Sequence, residues 1–241
     1  MTTSYLEPTI LIVPGLNSSG PAHWQTWFEE QIPGAVRVVQ RDWKSADLAE
    51  WSSRVRREIS RSPGRILIAA HSFGALAAVQ AADDHRHRIA GALLVAPADP
   101  EKFGVSELLP QSPLGFPTIL VASSNDPWLS IERAARLAGA WDADFVSLGA
   151  AGHINTESGF GPWPGGLRLL QRLLFNGRAQ ANQFTLPSKP SVGGQWPSEW
   201  PSEWPSEWPH GPSEREDSPD RGRPRIAPRD LSTTIVDAVR V

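Results

Sequence analysis

The hydrophobic positions of this chain alternate between two patterns as far as residue 174. Short runs, rich in β-branched residues, are apolar at nearly every position, which is typical of strands covered on both faces of a parallel sheet. These runs are 9–13, 35–39, 65–70, 89–96, 117–123 and 144–148. Because segments of helical period separate them, the pattern predicts repeated strand and helix units.

In two of the intervening segments, the face expected to be buried can be identified from the spacing of the apolar residues. Segment 46–61 carries charged residues opposite a single apolar stripe, as an amphipathic helix does; the stripe is Leu48, Trp51, Val55 and Ile59. The last helical segment has a stripe of Leu167, Leu170 and Leu174. Alternating units of this kind predict an α/β fold, a three-layer and doubly wound sheet that is mostly parallel, with right-handed crossovers. Ligands bind such sheets beyond the carboxyl ends of the strands.

The C-terminal part of the chain has a different composition. Ten of the 23 prolines lie between Pro187 and Pro228, and WPSEWPSEWPSEWPHG at 196–211 repeats one tetrapeptide. Proline at every fourth position prevents a regular helix, and few aliphatic residues are present to form a core. We therefore predict an α/β domain over 1–178 and a disordered, low-complexity tail over 179–241. Its evenly spaced tryptophans suit docking on a protein partner, but nothing in the sequence identifies one.

Composition excludes several kinds of protein. Cysteine is absent, so disulfides and thiolate metal sites are excluded. The net charge is −3, with no long basic face, which argues against nucleic acid as a partner. The apolar run near the N-terminus has five residues, too few for a membrane span or a signal peptide. We therefore expect a cytoplasmic protein with neither a membrane nor a nucleic-acid partner.

A serine stands at the corner between the run 65–70 and an alanine-rich segment. The sequence AHSFG resembles the nucleophile elbow G-x-S-x-G, with Ala70 in place of the first glycine and Gly74 as the last. In an elbow, the Ser72 hydroxyl is a nucleophile and the Phe73 N–H faces an oxyanion. The alternative is that Ser72 only caps the helix that follows.

A serine nucleophile needs a general base and a carboxylate that orients it. Asp126 follows the run 117–123, and His153 follows the run 144–148. The order serine, aspartate, histidine, each after its own strand, is that of the α/β hydrolases. Each residue also has an ordinary interpretation as a turn residue, and Asp99, after the run 89–96, is the runner-up acid.

The loop after the first strand, PGLNSSGPAHW, is the expected source of the second oxyanion donor, the Leu16 N–H. Glycine at position 15 allows close approach of the backbone. Gly15 and Gly20 have the spacing of a phosphate-binding loop, but Pro21 and Ala22 stand where such a loop needs lysine and serine or threonine. A nucleotide site is therefore excluded.

Only about 20 residues separate the runs 89–96 and 117–123, which leaves little room for a cap and predicts an open site. The candidate substrate-contacting residues are Gly15, Asn17, His23, Trp24, His71 and Trp128, with Phe103 and Trp163 as further wall positions. Aromatic walls suit small, moderately apolar acyl groups. For Trp24 and Trp27 the alternative interpretation is packing between a helix and the core.

Four segments together carry a family resemblance: PGLNSSGPAHWQTWFE, AHSFGALAA, SSNDPW and GHINTESGFGPWPGGLRLLQRLL. They resemble the small serine hydrolases of the retinoblastoma-binding-protein-nine and YdeN type, a cap-poor branch of the α/β hydrolases. The resemblance covers about residues 8–176 and leaves the tail without a counterpart. It implies Ser72 as nucleophile, Asp126 as orienting acid and His153 as general base.

The same resemblance implies that the substrate is a small-molecule ester or related acyl compound. The expected chemistry calls for no metal and no organic cofactor. Two other interpretations stay open from the sequence: a binding module with an idle triad, since fold does not determine function, and a scaffold protein that acts through its tail.

Overall fold

The structure, a computed structural model, describes residues 8–181, and side chains as far as Leu174. The strands are β1 (Thr9–Val13), β2 (Val36–Arg37), β3 (Ile66–His71), β4 (Ile89–Val95), β5 (Thr118–Ala122) and β6 (Asp144–Ser147). The helices are α1 (Trp24–Gln31), α2 (Leu48–Arg61), α3 (Phe73–Asp83), α4 (Ile131–Trp141) and α5 (Pro164–Ala181). Short 3-10 helices occupy Arg86–Arg88, Ser106–Leu108 and Thr156–Ser158.

The six strands form one parallel sheet in the order β2-β1-β3-β4-β5-β6. From β1 the chain moves outward to β2, then returns past β1 to β3 and continues in that direction. The strand order therefore reverses between β1 and β3. In open α/β sheets this switch point is where the loops diverge and leave a crevice for a ligand.

Helices cover both faces of the sheet. Side chains of α2, α3 and α4 share one core cluster, and those of α1 and α5 share the other. Alternate residues of β3 serve the two clusters: Ile68 and Ala70 belong to the first, and Leu67 and Ala69 to the second. Since successive side chains of a strand point to opposite faces, an all-apolar strand is what this burial requires. The predicted three-layer α/β fold is confirmed.

Helix α2 follows the predicted stripe. Its first turn is capped by Asp47, whose carboxylate accepts a hydrogen bond from the Glu50 N–H at 3.0 Å. The four predicted stripe residues are all buried, and α2 packs them against the sheet and α3.

Two elements differ from the sequence prediction. Strand β2 covers two residues of the predicted run 35–39, and Val39 is 61% exposed. Strand β2 lies at the sheet edge and pairs with β1 alone. Pairing with a single neighbouring strand does not hold the whole run 35–39 in the sheet. In α5, Leu170 and Leu173 are buried, whereas Leu167 and Leu174 pack at the margin of the core.

The predicted tail, including the repeat at 196–211, lies outside the described residues except where α5 ends at Ala181. The domain boundary at 178 and the disorder of the tail stay predictions. Within residues 8–181, no helix is both long enough and apolar enough to cross a membrane.

Candidate active site

Ser72 lies at the switch point, between the last residue of β3 and the first residue of α3. Its backbone has φ 52° and ψ −128°, a conformation that L-residues rarely adopt. Such strain persists only where the surrounding structure holds it, often at functional sites. The side chain makes no hydrogen bond that caps α3, so helix capping does not explain this serine.

Two glycines allow the sharp turn at Ser72. A Cβ atom at Gly74 would lie 2.2 Å from the Pro14 carbonyl oxygen, and one at Gly15 would lie 2.7 Å from Ser72 Cβ. The start of α3 and the loop after β1 thus meet at distances that only glycine permits. Ala70, in place of the first elbow glycine, is fully buried, and its methyl group packs in the core.

The structure brings Ser72, His153 and Asp126 together. His153 Nε2 lies 2.9 Å from Ser72 Oγ, and His153 Nδ1 lies 2.9 and 3.0 Å from the two Asp126 carboxylate oxygens. A carboxylate only accepts hydrogen bonds, so the imidazole proton is on Nδ1 and Nε2 is free to accept the serine O–H. The side chains of His153 and Asp126 are 9% and 3% exposed. A base buried in this way has its tautomer and orientation set by its partners.

Hydrogen bonds tie the loop after β5 to the loop after β6, and so hold the acid near the base. Asn125 Oδ1 accepts from the Gly152 N–H at 2.7 Å and from Ser123 Oγ at 2.8 Å. Ser123 Oγ accepts from the Ala151 N–H at 2.9 Å. Neither side chain was among the candidate site residues predicted from the sequence. Their position beside the aspartate in SSNDPW was the only signal.

The runner-up acid has another partner. Asp99 is buried, and its carboxylate lies 2.8 Å from Arg133 Nη2 and accepts from the Glu101 N–H at 3.0 Å. The structure shows no hydrogen bond or ion pair between Asp99 and His153. The interpretation of Asp99 as the orienting acid is therefore wrong.

The two expected oxyanion donors belong to segments that meet at the serine. Phe73 begins α3, so its N–H is among the helix N-terminal groups without an acceptor inside the helix. Leu16 follows Gly15 in the loop after β1. Asn17 and Ser18 continue this loop with φ values of 64° and 63°, and the Asn17 N–H donates to the Trp43 carbonyl at 2.9 Å.

His71 lies beneath the candidate base. Its Nε2 is 2.9 Å from the His153 carbonyl oxygen, and because a carbonyl accepts, Nε2 carries the proton. Burial lowers the pKa of His71 well below its ordinary 6.5, and the nearby His153 and His23 lower it further, against the opposing effect of the carbonyl hydrogen bond. At neutral pH, His71 is a neutral donor that holds the His153 backbone.

His23 is a second buried neutral histidine. It caps α1, with Nδ1 accepting from the Gln25 N–H at 3.1 Å. Burial is the main cause that lowers the pKa of His23 to about 4, and the charge of Arg37 and the proximity of His153 add to it. The His23 and His71 rings are edge to face, with centroids 5.0 Å apart.

Burial changes the predicted substrate wall. Trp24 is fully buried, donates its Nε1–H to the Ile154 carbonyl at 3.0 Å and packs on Trp163, itself 2% exposed. The prediction that these tryptophans contact substrate is wrong, because both belong to the core. His23 and His71 are each 5% exposed, so they offer little surface to a substrate.

Three of the predicted wall positions remain accessible. Asn17 is exposed, Phe103 is half-buried against Phe73 with ring centroids 5.0 Å apart, and Trp128 is 51% exposed. The Trp128 ring centroid lies 6.3 Å from that of His153. Among residues 8–181, no group of three or more histidine, aspartate or glutamate side chains is placed to hold a metal ion.

The chain matches known proteins over most of the described residues. A family model described as serine hydrolase matches residues 10–172. A structure from Pectobacterium atrosepticum, described as a YdeN-like hydrolase, is 43% identical over 71% of this chain and 91% of its own, with a TM-score of 0.66. Among curated proteins, no significant match was found.

More distant structures share the fold alone. The ydeN gene product of B. subtilis is 18% identical over 70% of this chain and 99% of its own, with a TM-score of 0.59. Est1E from Butyrivibrio proteoclasticus, solved with ferulic acid bound, is 13% identical over 76% of this chain and 94% of its own, with a TM-score of 0.54.

Proposed function

The chain belongs to the serine hydrolase family, and from this premise we propose that it cleaves a small ester or related acyl substrate through Ser72, His153 and Asp126. The observation that supports the proposal is the position of His153, which lies 2.9 Å from Ser72 Oγ on one side and 2.9 Å from the Asp126 carboxylate on the other. That geometry is the one a serine nucleophile requires.

In the first half of the reaction, Ser72 Oγ attacks the acyl carbon while His153 Nε2 takes the hydroxyl proton. Asp126 accepts from Nδ1–H and stabilises the imidazolium that forms. The carbonyl oxygen gains the negative charge, which the Leu16 and Phe73 N–H groups stabilise. The bond to the leaving oxygen then breaks, and the proton on Nε2 passes to that oxygen, so an alcohol departs and the acyl group stays on Ser72.

In the second half, water replaces the alcohol. His153 Nε2 takes a proton from the water as its oxygen attacks the acyl carbon, and the same N–H groups stabilise the second oxyanion. The bond between the acyl carbon and Ser72 Oγ breaks, and the serine oxygen recovers the proton from Nε2. The products are a carboxylic acid and the restored enzyme.

The surroundings of Ser72 favour a small acyl group. The connection between β4 and β5 contains a single short helix, Ser106–Leu108, so no helical cap is built on it. Trp128 and Phe103 offer apolar contact beside the triad. Since apolar and aromatic side chains supply most of the contact with a bound ligand, we expect this site to bind short, moderately apolar acyl groups better than long ones.

The proposal is tested with p-nitrophenyl acetate and longer p-nitrophenyl esters, and with a fluorophosphonate probe that labels active serines. Wild-type protein is expected to turn over the short esters and to be labelled. Ser72→Ala is expected to be unlabelled and to fall to the background rate, while Ser124→Ala, an exposed serine in the loop after β5, keeps both properties. An unlabelled wild type would contradict the proposal and favour a binding module. A Ser72→Ala variant that is still labelled and active would also contradict it, because another residue would then be the nucleophile.

A further inference from the structure

A buried glutamine lies between the two segments that carry the expected oxyanion donors. Gln25, the second residue of α1, has no exposed surface. Its Nε2 donates to the Val13 and Ala69 carbonyls, each at 3.0 Å, and its Oε1 accepts from Ser19 Oγ at 2.6 Å. All the hydrogen-bonding capacity of the amide NH₂ is used, so its position is closely determined.

The partners of Gln25 are backbone points next to the site. Val13 ends β1, and the chain passes from it through Pro14 and Gly15 to Leu16. Ala69 lies in β3, three positions before Ser72, and β1 and β3 are neighbours in the sheet. One side chain therefore bridges the ends of the two strands at the switch point.

The third partner secures the loop itself. Ser19 is buried, and its carbonyl also accepts from Arg37 Nη1 at 2.8 Å and from Thr26 Oγ1 at 3.2 Å. The loop after β1 is thus held at its start through Val13 and at its far end through Ser19. Leu16 lies between these two attachments.

We propose that Gln25, by bridging the carboxyl ends of β1 and β3 and the Ser19 hydroxyl, is a positioning residue that sets the separation of the Leu16 and Phe73 N–H groups. The inference rests on the function proposed above. Gln25 does not touch the substrate. It acts on the rate because oxyanion stabilisation depends on donors held at the distance of the developing charge, and a displacement of about 1 Å costs on the order of 10²-fold in rate.

The variant that tests this is Gln25→Met, which keeps a long unbranched side chain and removes the three hydrogen bonds of the amide group. We expect kcat for p-nitrophenyl acetate to fall by about 10- to 100-fold, with KM within about threefold of wild type. The fluorophosphonate labelling rate should fall in parallel, since the phosphoryl oxygen occupies the same donors. The pH at which kcat/KM is half-maximal should not move, because the contacts of His153 are intact. Gln25→Glu keeps an acceptor for Ser19 but has at most one donor, when protonated, for the two carbonyls that the amide NH₂ serves, so it should also lower kcat.

A matched control is Thr118→Val. Thr118 is a buried threonine at the amino end of β5, where its hydroxyl donates to the Phe116 carbonyl at 3.1 Å. Because the strands are parallel, Thr118 at the amino end of β5 lies at the opposite end of the strands from Ser72, which follows the carboxyl end of β3. The control should lower Tm through the loss of a buried hydrogen bond and leave kcat, KM and labelling at the wild-type level.

If Gln25→Met and Gln25→Glu retain kcat within about threefold of wild type, the positioning role is wrong. Should both variants fail to fold, Ser19→Ala decides, because it removes the hydrogen bond to Gln25 Oε1 while the Ser19 carbonyl keeps its contacts with Arg37 and Thr26. A fall of severalfold in kcat supports the proposal, and wild-type kcat overturns it. Wild-type protein that is neither active nor labelled would instead overturn the proposed hydrolase function.

Discussion

Replacing Gly15 with alanine inserts a methyl group between the loop after β1 and the candidate nucleophile. The new Cβ would lie 2.7 Å from Ser72 Cβ, 3.2 Å from the His71 carbonyl oxygen and 3.4 Å from Ser72 Oγ. Two of these three contacts are to atoms that cannot rotate away, since a Cβ and a carbonyl oxygen move only with the backbone. The strain must therefore be relieved by the loop or by the elbow.

The size of the effect follows from the distances. Carbon atoms in contact are normally about 3.5–4.0 Å apart, so one segment must move by roughly 1 Å. If the loop moves, the Leu16 N–H is displaced; if the elbow moves, Ser72 is. Either displacement is expected to lower kcat/KM by on the order of 10²-fold. Overpacking of this kind also lowers the free energy of unfolding by about 1–3 kcal/mol.

Gly20→Ala is the matched control, because it is in the same loop and an added Cβ there meets nothing within 4 Å. Both variants are compared with wild type in p-nitrophenyl acetate turnover, fluorophosphonate labelling and urea unfolding. Gly20→Ala should match wild type. If Gly15→Ala also retains kcat/KM within about threefold of wild type, the inferred close contact of loop and nucleophile does not exist in solution.

Two further predictions concern charge. Asp126→Asn keeps the shape of the acid but does not hold the His153 tautomer, so kcat should fall by about 10⁴-fold. Asp99→Asn weakens the pair with Arg133, so it should lower the free energy of unfolding by on the order of 1–3 kcal/mol and leave kcat unchanged. The opposite ranking of the two variants in steady-state kinetics would restore Asp99 as the acid. Because the pKa of His23 is lowered in the folded protein, the unfolded chain takes up a proton at higher pH than the folded one does. The contribution of His23 to the free energy of unfolding is therefore complete above pH 6.5 and is lost as the pH falls to about 4. At 1.36 kcal/mol per pKa unit, the loss is roughly 3 kcal/mol. His23→Asn keeps a capping side chain and should flatten this part of the dependence in urea unfolding between pH 7.5 and 4.5, although His71 still contributes in the same direction; an unchanged slope would show that His23 is not the titrating group.

The local pattern of apolar residues was enough to predict the architecture, because a strand that is buried on both faces is apolar at nearly every position. The all-apolar runs around β3, β4 and β5 correspond to the central strands, each of which has a neighbour on both sides. The edge strand β2 does not follow this pattern. The run 35–39 predicts a strand of five residues, whereas β2 has two. The difference arises because β2 has a neighbouring strand on one side only, and the sequence pattern does not show which strands lie at an edge.

Candidate site residues could be predicted where they follow the end of a strand. The prediction was ambiguous where two strands are each followed by the same type of residue. Asp99 and Asp126 each follow a buried strand, so their local signals are equivalent. The distinction came from partners remote in sequence: Arg133 pairs with Asp99, while His153 lies against Asp126.

The sequence by itself determined the α/β class, the parallel sheet and the strand ends that carry Ser72, Asp126 and His153, because periodicity and chain order are local properties. Only the tertiary structure decided which nearby side chains are accessible. Trp24 is removed from the site by a hydrogen bond to Ile154, 130 positions away, and His71 by one to His153, 82 positions away. Burial and hydrogen-bond partnership arise from contacts between distant segments, and a one-dimensional pattern records neither.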